Sequence, residues 1–233
     1  MDLEIKDVSE MLNVPENTVR TWLSEGKIPA YYINESYRFN RIEIEDWVMK
    51  KRKDHGKFSA SSTHADHEAS TAQGGSKQFS LYRAVNRGGV LYDLPGDTKE
   101  EVIRNAMAKI AAPLSLDAGV ISDLLLDREA LQPTALGNGL AIPHTRDFLL
   151  NAHFDVVTIA FLKNPIDYGS LDGKPVRSLF FLFASNDKKH LHLLAKIAHL
   201  SSQQNAIEFF HKNPTKEYLL EYIKAWEVQV KGG

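Results

Sequence analysis

The chain has 233 residues and a mass of 26.2 kDa, which at about 150 residues per domain leaves room for one sizeable domain and a small companion. Hydrophobic residues at 43% and charged residues at 25% exclude a mostly disordered or collagen-like chain and supply a packed core. No run approaches the ~20 apolar residues of a membrane span, and the opening Met1-Asp2-Leu3-Glu4 lacks the basic and apolar segments of an export signal. The absence of cysteine excludes disulfides, thiolate metal sites and cysteine nucleophiles, so the expected compartment is a reducing cytoplasm.

In chain order, residues 1–53 open with two short helical patterns. Ile5 to Asn13 places Val8, Met11 and Leu12 on one face, and Glu16 to Glu25 does the same with Val19, Trp22 and Leu23. Only Val14-Pro15 joins them; Pro15 suits a helix start and Gly26 a helix end, so the pair reads as a helix-turn-helix. Lys27 to Ile33 and Tyr37 to Phe39 then read as a hairpin around Asn34-Glu35-Ser36, followed by a third helix from Arg41 to Lys51. Trp22 and Trp47 lie in apolar helical stripes and are expected in the core of this unit.

Residues 54–78 contain one aromatic and no apolar periodicity and read as a linker, whose r.m.s. span of about 25–30 Å would let its flanking domains move independently. Its Gly74-Gly75-Ser76-Lys77 has the wrong order and context for a phosphate-binding loop. His55, His64 and His67 lack flanking structure and read as solvated residues, not metal ligands.

From 79 to 233 the pattern alternates. An apolar run spans Gly89 to Leu94, helices Thr98 to Ala112 and Ala118 to Leu126, and then a polar glycine loop intervenes. Strands at Asp155 to Leu162 and Val176 to Ala184 precede helices at Lys188 to Ser201, Asn205 to His211 and Thr215 to Trp226, with Asp187 and Asn213-Pro214-Thr215 as starts. The expected fold class is α/β, a mixed sheet covered by helices, behind a small helical unit.

Charge bears on partners by segment. Residues 1–53 carry 9 Lys and Arg against 10 Asp and Glu, residues 54–78 carry 2 against 3, and residues 79–233 carry 17 against 17. No segment is basic overall, but Lys50, Lys51, Arg52 and Lys53, with Arg38 and Arg41 upstream, form a local cationic run.

Ile5 to Ala30, with Tyr37-Arg38-Phe39 and Ile44-Glu45-Asp46-Trp47, resembles the winged helix-turn-helix of excisionase and MerR-type proteins. The resemblance implies a second helix in the major groove, with Asn17, Thr18, Arg20 and Thr21 near base edges and Lys27 and Arg38 near phosphates. Because one module this small neutralises few phosphates, a homodimer or higher assembly is expected on DNA. The alternative is a module that docks on protein.

In the larger segment, two glycines and Pro143 precede His144, an arrangement that could hold an imidazole at a cleft with backbone N–H groups nearby. Gly137-Asn138-Gly139-Leu140-Ala141-Ile142-Pro143-His144 resembles the phosphohistidine segment of fructose/mannitol-type enzyme IIA domains of the sugar phosphotransferase system, including the nitrogen-regulatory branch. His190-Leu191-His192-Leu193-Leu194-Ala195-Lys196-Ile197-Ala198 resembles the same family's His-Leu helix, and Arg128, sixteen residues before His144, falls where those domains carry a phosphate-supporting arginine.

The resemblance implies that His144 accepts a phosphoryl group from a histidine phosphocarrier protein, that His190 orients the ring or binds the phosphate, and that Arg128 offsets its charge. Gly137, Asn138 and Gly139 become candidates for a phosphate loop. His192, about 200° around the helix from His190, is expected to be structural or exposed. No metal or cofactor is expected, and the domain reads as a phosphoryl carrier more than a self-contained enzyme. Joined, the halves suggest a cytoplasmic bacterial regulator of DNA. The competing readings are a carrier to a separate IIB component and a protein-interaction switch that never sees DNA; a hydrolase using His144, His190 and His192 as metal ligands lacks a carboxylate at ligand spacing.

Overall fold

A computed structural model describes residues 3–12, 14–33, 36–50, 80–145 and 154–230. The expected linker, with its three histidines and its glycine-rich stretch, lies outside the described residues, as does the expected hairpin tip at Asn34-Glu35.

The N-terminal unit consists of α1 (Ile5–Leu12), α2 (Glu16–Ser24), the antiparallel hairpin β1 (Tyr31–Ile33) and β2 (Ser36–Arg38), and α3 (Arg41–Lys50). Val8, Val19, Ile28, Phe39, Ile44 and Val48 make its core, with Trp22 and Trp47 packed half-buried against it at a ring separation of 5.2 Å. Leu3 pairs with Phe39 and ties the start of the chain to the hairpin.

The larger unit contains α4 (Ser80–Gly88), β3 (Val90–Leu94), α5 (Lys99–Ile110), a 3-10 turn (Ala112–Leu114), α6 (Ala118–Leu131), β4 (Ala135–Gly137), β5 (Leu140–Ala141), β6 (Val156–Ile166), β7 (Val176–Phe183), α7 (Asp187–Leu200), α8 (Gln204–Phe210) and α9 (Lys216–Gln229). The sheet order is β3-β6-β7-β5-β4; β3 runs parallel to β6 and β5 parallel to β7, whereas β6/β7 and β4/β5 are antiparallel. The expected mixed sheet covered by helices is present.

Period-two alternation distributes the strands' side chains to two layers. Leu140, Ile142, Val157, Ile159, Phe161, Phe180 and Leu182 face α4, α7, α8 and α9, while Ala141, Val156, Ala160, Leu162, Leu179, Phe181 and Phe183 face α5 and α6. Both faces are covered, which is why β6 and β7 read as continuous apolar runs.

Several elements differ from the sequence expectation. Helix α4 was not anticipated: its N-terminal amides at Leu81 and Tyr82 are bonded by the carboxylate of Glu227 on α9, a cap supplied 145 to 146 residues away. Its C-terminus lies so close to β6 that a Cβ on Gly88 would stand 2.2 Å from Val157 O. Helix α6 continues past Leu126 to Leu131, and the polar glycine stretch forms the two short strands β4 and β5. The cap of α7 is Asn186, whose side chain accepts from Lys189 N at 3.0 Å, with Asp187 as the first helical residue.

The two units do not stand apart. Helices α1 and α3 pack on α7, whose Ala195 and Ala198 join the N-terminal core, while Met11 of α1 is fully buried in the main core beside Leu191 and its neighbours. Independent motion of the two halves is therefore not what this arrangement shows. Among the described residues no helix is long and apolar enough to cross a membrane.

Candidate functional site

The β5 to β7 ladder positions His144. Leu140 pairs with Ser178, Ala141 with Leu179, and beyond β5 a parallel bridge joins His144 to Leu182, with Leu182 N donating to Pro143 O at 3.1 Å. Since Leu140 and Ile142 face the α7 layer, the same alternation sends the His144 side chain there too. It meets His190, on the first turns of α7, with ring centroids 5.1 Å apart and planes at 60°. Both residues are buried, at 0% and 1% exposure.

The ring of His144 is also fixed in tautomer. Its Nδ1 lies 2.8 Å from Ile142 O, and a carbonyl can only accept, so Nδ1 carries the proton and the lone pair of the neutral imidazole sits on Nε2. The nitrogen that carries the lone pair is thereby defined.

Arg128 is buried near the C-terminus of α6 and donates through Nη1 to Gln132 O at 3.0 Å. Its neighbour Glu129, also buried, organises the turn that follows. Glu129 accepts from Thr134 N at 3.0 Å, from the Thr134 hydroxyl, and from Tyr168 OH at 3.1 Å, and Lys99 Nζ stands 3.5 Å away. Burial, and then the Glu129 charge, hold the Tyr168 hydroxyl well above its ordinary pKa, so it remains a donor. Thr134 O in turn receives Ile142 N at 3.1 Å. This chain of bonds sets the strand leading to His144; the sequence reading missed it, although Glu129 adjoins a residue it had singled out.

The candidate phosphate loop is not brought to His144, and that expectation is corrected on geometry. Gly137, Asn138 and Gly139 form the β4–β5 turn, all three with positive φ. The turn is held by Asp172, which accepts from Asn138 N at 2.7 Å, and by Gly139 O, which accepts from Arg177 N at 2.8 Å. Gly139 thus sits beside Arg177 and His144 beside Leu182, five residues along β7, roughly 16 Å at the rise of an extended strand. Glycine is needed here for the turn, not for an anion. The turn instead borders a cavity of about 290 Å³ with Lys174, Arg177, Gln204 and His211.

His192 bonds the Ser80 hydroxyl at 3.0 Å across to α4. On the N-terminal unit, Asn17, Arg20 and Thr21 share the exposed face of α2, and Thr18 beside them is half-buried. The cations expected at DNA each have a carboxylate nearby: Arg20, expected at base edges, with Glu16 at 3.7 Å, and Lys27 and Arg38, expected at phosphates, with Glu25 at 2.7 Å and Glu4 at 2.5 Å. The exposed Tyr32 and Tyr37 rings pack edge to face on the hairpin.

A mixed sheet between helical layers, with a histidine at the end of one strand apposed to a second on α7, is the arrangement of a phosphotransfer-type IIA domain. Residues 85–226 match the family model for the phosphoenolpyruvate-dependent sugar phosphotransferase system, EIIA 2, and residues 3–52 match a helix-turn-helix domain. The chain belongs to the EIIA 2 family, joined to an N-terminal helix-turn-helix domain. It is 32% identical over 146 residues to a nitrogen regulatory protein of Pseudomonas aeruginosa, covering 61% of this chain and 94% of that one. It is 31% identical over 132 residues to the mannitol-specific phosphotransferase enzyme IIA component of Geobacillus stearothermophilus, covering 54% and 86%. The crystal structure of the nitrogen regulatory protein IIA-Ntr from Neisseria meningitidis superimposes with a TM-score of 0.52 at 27% identity, over 57% of this chain and 91% of that one.

Proposed function

We propose that the protein is a cytoplasmic regulator in which His144 accepts a phosphoryl group from a histidine phosphocarrier protein and the winged helix-turn-helix binds DNA. The observation that carries the first half is the His144–His190 pair with Nδ1 of His144 committed to Ile142 O. Nε2 attacks phosphorus in line; the phosphorus–nitrogen bond of the donor breaks and its electron pair returns to the donor ring. The proton stays on Nδ1 and remains donated to Ile142 O, which stabilises the positive charge that the phosphorylated ring acquires. His190, whose ring lies against that of His144, orients it or bonds the phosphoryl oxygens, and Arg128, on α6, is assigned by the family resemblance to offset their charge. No metal or cofactor is required for this step.

Intact-mass measurement under alkaline conditions, after incubation with a purified phosphotransferase relay, tests the assignment. Wild type should gain one phosphoryl group and His144→Ala none. If neither gains it while the relay charges a control acceptor, the assignment falls.

For the second half, the exposed face of α2 supports DNA recognition by a homodimer or higher assembly, with Asn17, Thr18, Arg20 and Thr21 at bases and Lys27 and Arg38 at phosphates. The carboxylates beside Arg20, Lys27 and Arg38 favour a second reading, in which the unit docks on a regulated protein partner. Retention on DNA at low salt, with loss of retention in Arg20→Ala, separates the two.

A further inference from the structure

The helix carrying His190 is also the surface on which the N-terminal unit sits. Arg41, on α3, reaches across with Nη1 2.8 Å from Asp187 Oδ1 and is largely buried, its side chain 18% exposed. Lys188 bonds Asp7 at 3.3 Å and Glu10 at 3.3 Å, both on α1. The angular positions on α7 then matter. Asp187 and His190 are three residues apart, so their Cβ atoms are neighbours at about 5–6 Å. Lys188, two residues from His190, is turned about 200° from it. Of the groups crossing the interface, the Arg41 guanidinium is therefore held beside the His190 face, and the carboxylates of Asp7 and Glu10 are held away from it.

We propose that Arg41 reads the phosphorylation state of His144, so that phosphorylation tightens the docking of the winged helix-turn-helix on α7. This rests on His144 being the phosphoacceptor. A phosphoryl group on His144 adds between one and two negative charges next to His190. An arginine fork binds such a group through two parallel N–H bonds more strongly than a single carboxylate oxygen through one, and a largely buried setting is poorly screened by solvent. Arg41 is fixed to α3, so any pull on its guanidinium is a pull on the N-terminal unit. By linkage, the docked state also retains the phosphoryl group better.

The chain has no cysteine, so a Ser24→Cys, Lys212→Cys pair can be labelled specifically in the full-length protein for energy-transfer measurement of docking. Urea is set so that about half the unphosphorylated molecules are docked. Charging by the relay is expected to raise the ratio of docked to undocked molecules about tenfold, the size of one charge-assisted contact. Arg41→Ala, with urea readjusted, should take up the phosphoryl group but show no change. Asp187→Ala, which frees Arg41 from its carboxylate, should show a larger change than wild type. A phosphorylated wild type that undocks or does not respond overturns the proposal, as does an Arg41→Ala protein that responds like wild type. Failure of wild type to gain mass overturns the phosphoacceptor assignment itself, and this proposal with it.

Discussion

Glu129 illustrates how a side chain that touches no reactant can govern one that does. Its carboxylate gathers Thr134, Tyr168 and Lys99 inside the protein, where an unbonded donor costs far more than at the surface. Glu129→Ala should destabilise the fold by about 3 kcal/mol and lower Tm by roughly 6–12 °C, with Glu129→Gln losing less. A shift within about 2 °C in a thermal melt would mean the network relaxes onto water. Sequence reading singled out His144 by a contiguous eight-residue motif and His190 by a second, separate one, and the structure brings the two rings together. The motif's glycines misled, because a glycine needed for positive φ in a hairpin looks the same in sequence as one needed to cradle an anion. Glu129 carried no periodic or spacing signal; only the folded chain shows what surrounds it.

Among elements, α2 combines an exposed polar face with cations that already have acidic neighbours. Exposed pairs of this kind are weak and yield to a phosphate, but they reduce the positive potential that draws nucleic acid. Replacing Glu16 and Glu25 together by Gln should therefore raise affinity for DNA of any sequence and steepen its salt dependence. Binding titrations across a salt series check this, and unchanged affinity would place the DNA face elsewhere. The strong helices and the two central strands were legible from apolar periodicity. Helix α4 was not, since its N-terminal amides are satisfied by Glu227 from the far end of the chain. The strands β4 and β5 were hidden for a different reason: at three and two residues they are too short to display an alternation.

For the whole molecule, α7 is a wall common to two cores, Leu191, Leu194 and Ile197 lining one and Ala195 and Ala198 the other. The larger core keeps that wall when the N-terminal unit leaves, whereas the smaller core loses the alanines that close it, so calorimetry should record undocking ahead of the main transition. Ala198→Glu, which puts a charge into the shared surface, should move the first transition to lower temperature and leave the second. A single transition in the wild type would show that docking and the larger core melt together. The composition-based division into a small and a large unit carried no sign of the docking between them, because the residues that close it, Arg41 and Asp187, are 146 positions apart.

The alternation that aims His144 at His190 also limits what insertions and deletions the segment can absorb. One residue added or removed between Leu140 and His144 would turn the imidazole toward α5 and α6, on the opposite side of the sheet from its partner. Two residues would keep the side but displace the ring along β7 by about 6–7 Å. Spacing from Leu140 to the histidine is thus a fixed length.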